Sequence, residues 1–294
     1  RKPTALRLVE DARLAVAVEI SLSGSNVALA DLSGRILRRK VVDWQPSPEI
    51  HCQKIHAVIR GYTSLFGSRQ ILGVGVGLPG TIDRSSGRVI AAENLNWFNV
   101  EAGRVLRGNF SLPFYFENNA KLSALAEQWF VEPGQRPLRD FVYIAPLGGL
   151  GTGIITNGHL LQGSSGMAGE FGHIVLKPEG LRCPCGNQGC LEQYASDRAL
   201  CRIYTELAGY NGGPPLEASQ IAVLALDGNS AARQALQQTA LALGEGFVSL
   251  IWVFNPQAII VGGYYAEAWD LVEGAIWEAL RARAPHYILA SLRI

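Results

Sequence analysis

The 294-residue chain is long enough for two lobes, each with a hydrophobic core of its own. An apolar fraction of 48% and a charged fraction of 17% exclude a disordered protein, and a net charge of +1 gives no electrostatic case for nucleic-acid or anionic-membrane binding by this segment as a whole. The longest apolar run, 247–254, is too short to span a bilayer, and the chain starts without a signal-peptide pattern. We therefore expect a cytoplasmic protein with no membrane contact.

The first part of the chain predicts a sheet followed by a helix. Apolar, β-prone runs at 14–18 and 27–30 indicate two strands, and the sequence DLSGR at 31–35 indicates a hairpin turn before a third strand, Ile36–Val42. A helix is expected around 48–66, and QILGVGVGLPG at 70–80 is typical of a buried strand that ends in a glycine-rich loop.

The same order of elements returns later in the chain. Residues 141–163 predict a strand, a glycine turn, a second strand, an Asn-Gly turn at 157–158 and a third strand. The two blocks lie about 125 residues apart, which favours a duplicated α/β lobe with a cleft between the copies and a boundary near 118–125.

The last third of the chain predicts a long helix and a final buried strand. Over 231–253, one helical face carries four apolar residues, and the strand sequence NPQAIIVGG at 255–263 follows. The four residues are Leu236, Leu243, Phe247 and Leu250. The sequence GYNGGPP at 209–215 indicates a surface loop.

Three of the five cysteines lie within eight positions, downstream of a histidine. The spacing His-x9-Cys-x-Cys-x4-Cys places His173, Cys183, Cys185 and Cys190 as one imidazole and three thiolates, a complete tetrahedral set for a structural Zn²⁺ with no open position for a catalytic water. One proline separates Cys183 from Cys185, and the number of cysteines is odd, so a disulfide framework is disfavoured. The alternative is a set of buried free cysteines beside a core histidine. Cys52 and Cys201 are isolated and fit ordinary core positions.

The segment GMAGEFGHIVL…CPCGNQGCLEQYAS resembles the signature of the ROK family, which groups bacterial repressors with sugar kinases. The stretches GVGVGLPG, FENNAKLSALAE, LGGLGTGIITNGHLLQG and NPQAIIVGG follow in that family's order, so the resemblance covers about residues 12–264. It implies an α/β, two-lobed, actin-like (hexokinase or ribonuclease H-like) fold with a sugar bound between the lobes. It also implies that His173 uses one ring nitrogen for zinc and turns the other toward a sugar hydroxyl.

By this resemblance, nine residues are expected to bind the sugar. Six lie in the first lobe and three in the zinc segment, and their carboxylates and amides suit the hydroxyl groups of a polyol. They are Gly80, Thr81, Glu93, Asn94, Asn118, Asn119, Glu170, His173 and Glu192. The alternative, that they are turn formers and solvated charges, fits Glu93 and Thr81 better than the residues of the zinc segment.

Two motifs of the family's kinases are altered in this chain. The kinases carry Asp-x-Gly-Gly-Thr after the first strand, where backbone N–H groups bind ATP phosphates, whereas residues 19–23 read Glu-Ile-Ser-Leu-Ser. The kinases' Glu-Asn-Asp-Ala becomes Glu-Asn-Asn-Ala at 117–120, so Asn119 replaces the aspartate that acts as general base. An amide cannot supply general-base catalysis, which contributes about 10² to 10⁴-fold. We therefore expect no catalytic residue and no kinase activity. The glycine stretches 148–153 and 262–263 remain and fit structural turns equally well.

The resemblance then implies a NagC/XylR-type transcriptional regulator, most simply a repressor of carbohydrate metabolism. Residues 1–12 are expected to be the linker from a winged helix-turn-helix domain outside this segment, with lobes at 13–120 and 121–294 and the zinc loop at 173–190. The expected partners are a sugar or sugar phosphate effector, operator DNA through the missing domain, and further copies in a homodimer or homotetramer. The alternatives are an ATP-dependent hexose or N-acetylhexosamine kinase with an atypical loop, and a protein-interaction module with an inactive sugar site.

Overall fold

The computed structural model of the chain describes residues 9–66, 70–131, 136–209 and 215–294. Residues 1–8 of the expected linker and residues 210–214 of the expected surface loop lie outside this range. The chain divides into two compact units, Arg1–Asn119 and Ala120–Ile294.

The described residues of the first unit form a five-stranded sheet, a three-stranded sheet and two helices. The large sheet has the order β3-β2-β1-β4-β8, in which β1 pairs antiparallel with β2 and parallel with β4. The small sheet has the order β5-β6-β7. The elements are β1 Leu14–Ser21, β2 Gly24–Asp31, β3 Ile36–Val42, α1 Pro48–Phe66, β4 Ile71–Leu78, β5 Thr81–Asp83, β6 Arg88–Ala92, β7 Trp97–Val100, α2 Ala102–Arg107 and β8 Phe114–Asn118.

The core of this unit contains side chains that are buried at every second position of a strand. Leu14, Val16, Val18 and Ile20 alternate with more exposed residues along β1, as expected for a strand with one face against a core. Helix α1 packs against β2 and β3 through buried residues at helical spacing, such as Ile55 and Ile59. The predictions of β3 and of α1 are confirmed residue for residue.

The second unit contains a four-stranded sheet and most of the helices. The sheet has the order β11-β10-β9-β12. The elements are α3 Asn119–Trp129 (which begins at the last residue of the first unit), β9 Phe141–Ala145, β10 Gly151–Thr156, β11 His159–Leu160, α4 Glu192–Ala195, α5 Asp197–Ala208, α6 Ala218–Leu226, α7 Ser230–Phe254, β12 Ala258–Val261, α8 Tyr264–Glu267, α9 Trp269–Arg283 and α10 His286–Leu289.

Helix α7 is the centre of the second core. The helix begins after Asn229, whose side chain caps it by accepting a hydrogen bond from the N–H of Ala232. It ends before Asn255, a C-cap in the left-handed conformation. The four residues predicted on its apolar face are all fully buried, and the helix packs against α4, α5, α6 and α9. The predicted apolar face of this helix is confirmed.

The two units repeat one strand pattern. In each, three consecutive antiparallel strands form a meander whose first strand also pairs in parallel with a later strand, as β1 does with β4 and β9 with β12. The predicted turn between β10 and β11 is present, with φ of 52° at Asn157 and 81° at Gly158. The sequence repeat therefore corresponds to a repeat in topology.

None of the helices in the described part of the chain combines the length and the apolar character that a membrane span requires.

Candidate functional site

The predicted metal ligands converge on one point. One ligand atom from each of His173, Cys183, Cys185 and Cys190 lies within 4.8 Å of every other. The Sγ atoms of Cys185 and Cys190 are 3.8 Å apart, and the Sγ of Cys183 is 3.7 Å from Nδ1 of His173. A tetrahedral zinc with Zn–S bonds of about 2.3 Å needs sulfur atoms separated by about 3.8 Å, so the spacing fits this ion.

Tight turns bring these ligands together. His173 ends the 3₁₀ turn Phe171–His173, and the cysteine loop closes through paired backbone hydrogen bonds between Cys183 and Asn187 and between Gly189 and Leu181. Gly189 has φ of +75°, and a Cβ there would lie 1.7 Å from the carbonyl oxygen of Lys177. Only glycine fits at this position.

The electrostatics of the cluster favour a cation. Burial and the neighbouring thiols raise the pKa of the Cys190 thiol to about 12, and burial raises the pKa of Cys183 as well. Several thiolates at this spacing repel one another unless a positive ion compensates them. The donor set can hold a metal such as zinc, and its four-ligand geometry suits a structural role rather than a catalytic one.

Glu192 and the histidine segment lie at the same turn of the second unit. Leu150 belongs to the turn between β9 and β10, and its N–H donates to Oε2 of Glu192 at 3.0 Å. Its carbonyl oxygen would lie 2.5 Å from a Cβ at Gly172, so the 3₁₀ turn that carries His173 packs closely against the same residue. Glu170, which precedes that 3₁₀ turn, has an exposed side chain.

Five predicted sugar-binding residues of the first unit lie around the end of β4. The Asn118 amide donates from Nδ2 to the carbonyl oxygen of Gly80 at 3.0 Å. Gly80 has φ of +73°, and a Cβ on this residue would lie 2.1 Å from the carbonyl oxygen of Ala91. The next residue, Thr81, pairs with Ala91 in the small sheet. Glu93 and Asn94 follow directly in the 3₁₀ turn Glu93–Leu95.

Asn119 lies at the end of β1. Its Nδ2 donates to the carbonyl oxygen of Ile20 at 2.9 Å, which orients the amide with its nitrogen toward the strand. Directly after Ile20, Ser21 pairs with Gly24 across a two-residue turn, and the Ser21 hydroxyl donates to the Gly24 carbonyl oxygen at 2.8 Å. Leu22 in this turn is 53% exposed. The stretch that the family resemblance aligns with the kinases' phosphate loop is thus a short hairpin turn with a leucine at its tip.

The structure adds contacts that the sequence did not indicate. Arg84 forms a 2.8 Å ion pair with the buried carboxylate of Glu117, whose other oxygen accepts a hydrogen bond from the N–H of Asn118. Asp197, the first residue of α5, accepts a 2.7 Å hydrogen bond from the N–H of Gly148, while burial raises the pKa of its carboxyl group. In the sequence, the feature that could have drawn attention to Asp197 was its position directly after Ser196, the N-cap of α5.

Taken together, two repeated units of strand meander and parallel crossover define an α/β protein of the actin-like, hexokinase-type fold. Residues 15–292 match the model of the ROK family, and the chain belongs to this family.

Relatives of two functional kinds are similar to the chain. A xylose repressor of Caldicellulosiruptor bescii is 37% identical over 201 residues, which cover 65% of this chain and 50% of the repressor, so the match spans half of that protein's length. A glucokinase of Streptomyces coelicolor is 32% identical over 274 residues, covering 88% of this chain and 85% of the kinase. The crystal structure of a ROK-family transcriptional regulator, a homologue of the E. coli MLC protein, aligns with a TM-score of 0.81 at 25% identity, covering 96% of this chain and 73% of that one. Similarity alone therefore does not separate a regulator from a kinase, and the residues of the site must do so.

Proposed function

We propose that this chain is the sugar-sensing, effector-binding and dimerisation body of a ROK-family transcriptional regulator of carbohydrate metabolism, a repressor in the simplest case, and that it has lost kinase activity. The observation that carries the proposal is the amide of Asn119, which donates to the Ile20 carbonyl oxygen at the position where the family's kinases have a carboxylate base. An amide nitrogen in this bond cannot take a proton from a sugar hydroxyl.

The hairpin turn after β1 supports the same conclusion. Phosphate binding by a loop depends on several exposed backbone N–H groups that a ligand can approach closely, which glycines permit. Here Ser21 pairs with Gly24, and the two residues between them carry side chains. Nucleotide is therefore expected to bind weakly or not at all.

Sugar recognition is proposed for the nine residues that the family resemblance indicates. In the first unit, Gly80 and Asn118 are joined by a hydrogen bond, and Thr81 starts the adjacent strand β5. In the second unit, Glu192 and the turn that carries His173 contact the backbone of Leu150. Both groups offer amide, hydroxyl, carboxylate or imidazole atoms, the chemistry that recognises a polyol.

Zinc is proposed as the resident metal of the His173, Cys183, Cys185 and Cys190 cluster. Held there, it would supply structural cross-linking of the loop and no chemistry on the ligand. Because Nδ1 of His173 faces the cysteines, its Nε2 is available to a sugar hydroxyl, which would couple the order of the metal loop to effector binding.

The proposal is tested by thermal unfolding of the metal-loaded chain with xylose, glucose, N-acetylglucosamine and related sugars. A sugar at about a hundred times its Kd should stabilise the fold by about 2.7 kcal/mol. Glu170→Ala should abolish the rise in Tm, and Glu179→Ala, at an exposed position in the same segment, should retain it. Glu170 is preferred to His173 because its replacement leaves all four metal ligands in place. A panel in which every sugar leaves Tm unchanged would contradict sugar sensing and favour a protein-interaction module.

A kinase is the second candidate, because the 32% identity to a glucokinase spans 88% of this chain. A coupled assay with ATP and the same sugars separates the two. The natural chain should give no turnover, and Asn119→Asp alone should not create it, since the turn after β1 still lacks its glycines. Glu170-dependent phosphorylation by the natural chain would overturn the proposal.

Operator DNA and a second copy of the chain are the proposed macromolecular partners, with DNA contacted through a domain outside this segment. The similarity to a repressor that is about twice as long as the matched region supports a further domain in the full-length protein. Electrophoretic mobility with the full-length protein and light scattering with this segment test the two partners separately.

A further inference from the structure

The 146–151 turn, which connects β9 to the first residue of β10, binds two carboxylates through its own backbone. The N–H of Gly148 donates to Oδ2 of Asp197 at 2.7 Å, and the N–H of Leu150 donates to Oε2 of Glu192 at 3.0 Å. The guanidinium of Arg198 also donates to the carbonyl oxygen of Gly148. Charge-assisted hydrogen bonds of this kind are stronger than neutral ones, so the turn and the start of helices α4 and α5 are held together as one group.

Gly149 lies between the two donors and leaves room for Glu192. A Cβ at this residue would lie 2.6 Å from Oε2 of Glu192 and 3.4 Å from its Cδ. The φ of Gly149 lies outside the left-handed region, so its backbone conformation suits alanine as well as glycine. A side chain at this position would therefore displace the Glu192 carboxylate from its contact with the turn.

The helix that carries Glu192 is fixed from its other side. The hydroxyl groups of Tyr264 and Tyr265, both buried, donate to the carbonyl oxygen of Ala195 at 3.3 and 2.9 Å. Leu191 is fully buried, and its Cδ2 would lie 2.5 Å from a Cβ at Gly246 of α7. These contacts hold the backbone of Glu192 in place. A side chain added at Gly149 would therefore displace the Glu192 carboxylate rather than its backbone.

We infer that the 146–151 turn positions Glu192 for the effector, with Gly149 as the residue that admits the carboxylate and Asp197 as the residue that fixes the turn. This inference rests on the proposed function. Leu150 holds one oxygen of Glu192, and the other, Oε1, receives no hydrogen bond from the described residues, which leaves it for a sugar hydroxyl. Gly149 and Asp197 are positioning residues, since they act through Glu192.

The first test compares Gly149→Ala with Gly274→Ala, a control position where an added Cβ meets nothing within 4 Å. The loss of one hydrogen bond to a charged group corresponds to about a ten- to a hundredfold weaker sugar Kd, which isothermal titration of the metal-loaded chain would measure for Gly149→Ala. Gly274→Ala should keep the Kd of the natural chain, and both variants should keep their metal. A lower Tm for Gly149→Ala with an unchanged Kd would overturn the inference, because a merely structural role predicts that result.

Asp197→Ala gives a second route if Gly149→Ala fails to fold. It removes the acceptor for the Gly148 N–H without adding an atom, and it should also weaken sugar binding. Asp227→Ala, at an exposed helix end, is its control. Equal affinity in Asp197→Ala and the natural chain would contradict the role given to Asp197.

A measurement that needs no sugar separates this inference from the proposed function. In ¹⁵N-labelled protein, the chemical shift of the Leu150 amide proton should differ between the natural chain and Glu192→Gln, because a neutral amide oxygen is a weaker hydrogen-bond acceptor than a carboxylate. Gly149→Ala should also change this chemical shift, because the added Cβ displaces the carboxylate from the Leu150 N–H. If the natural chain binds no sugar while the Leu150 signal behaves in this way, the proposed function fails and the positioning contact stands. A Leu150 signal insensitive to Glu192→Gln would overturn the contact itself.

Discussion

The family resemblance aligns the amide of Asn119 with a carboxylate in the family's kinases. The sequence alone indicated this replacement, because the neighbouring Glu117, Asn118 and Ala120 retain the motif. It did not indicate that Nδ2 of Asn119 would bond to the end of β1, or that Arg84 would pair with the buried Glu117. Such contacts join residues far apart in the chain, and local pattern carries no information about them.

The four candidate metal ligands were predictable because, unlike those contacts, they lie close together in the sequence. All four lie within residues 173–190, and their spacing is typical of a zinc site. Gly186 and Gly189, both with positive φ, mark the turns that bring the ligands together. The hydroxyl, amide and carboxylate residues expected to bind sugar came from the family resemblance, since scattered polar residues have no spacing rule of their own.

We expect one zinc ion per chain in protein purified without chelators. Replacing Cys185 with serine should remove the ion, because a neutral hydroxyl is a poor substitute for a thiolate ligand. Cys201→Ser, at a cysteine outside the cluster, should keep it. Elemental analysis measures both, and metal-free natural protein would contradict the prediction.

A buried histidine should make the stability of the first unit depend on pH. His51 is fully buried, its Nε2 lies 2.7 Å from the Ser25 hydroxyl oxygen, and burial is the main reason that its pKa is lowered from 6.5. The Asp43 backbone raises this pKa and the Lys54 charge lowers it further. Below pH 6.5 the unfolded chain binds a proton on this histidine, whereas the folded chain binds it only at a lower pH. The free energy of unfolding should therefore fall as the pH drops below 6.5, by up to about 1.4 kcal/mol per pH unit.

Urea unfolding at a series of pH values measures this slope. His51→Gln should flatten the dependence, although it also lowers stability at every pH by disturbing the contact with Ser25. His286→Gln, at an exposed position, should leave the slope unchanged. Equal slopes in the natural chain and His51→Gln would show that another group is responsible.

At the scale of elements, long periodic segments were predictable and short ones were not. Helices α1 and α7 and strand β3 have strong apolar patterns or clear ends, and their predicted limits agree with the structure to within one residue. The three-stranded sheet of β5, β6 and β7 was missed, because its strands contain only three to five residues and pair through turns that also suit a loop. Its absence from the sequence interpretation left the surroundings of Glu93 and Asn94 undefined.

The contact between α7 and α9 depends on a small residue. A Cβ at Gly244 of α7 would lie 2.6 Å from the carbonyl oxygen of Ile276 and 2.8 Å from the Cβ of Ala279. Gly244→Ala should therefore lower the free energy of unfolding by about 1–3 kcal/mol through overpacking. Gly274→Ala, at an open position in α9, should raise it by up to about 1 kcal/mol, since alanine is the better helix former. Chemical denaturation of the two variants measures both changes, and equal effects would contradict this packing explanation.

At the scale of the whole molecule, the repeated strand pattern was visible in the sequence because each copy has the same order of glycine turns and apolar runs. Each unit buries its own apolar cluster, one built around β1 and α1 and the other around α7. The four residues that could hold a metal all belong to the second unit. Loss of the ion should therefore act locally.

Hydrogen exchange before and after chelation tests this expectation. Amide protons in 171–193 should exchange faster in the metal-free protein, because the loop loses its cross-link. Those of strands β1 and β2 should keep their protection. Faster exchange spread evenly over both units would show that the ion supports the entire chain.

The exposure of Cys185 has a consequence for how the protein meets oxidants. Its side chain is open to solvent, while its partners Cys183 and Cys190 are buried. Peroxide can reach this sulfur first, and sulfenic or sulfinic acid at one of the four positions removes a thiolate donor from the set. Cys190 is directly followed by Leu191 and Glu192, so damage at the exposed sulfur would loosen the segment that ends in the carboxylate held by Leu150. Under the proposed function, aerobic storage would then lower the fraction of molecules able to respond to effector, and a reductant present from cell lysis onward would preserve it.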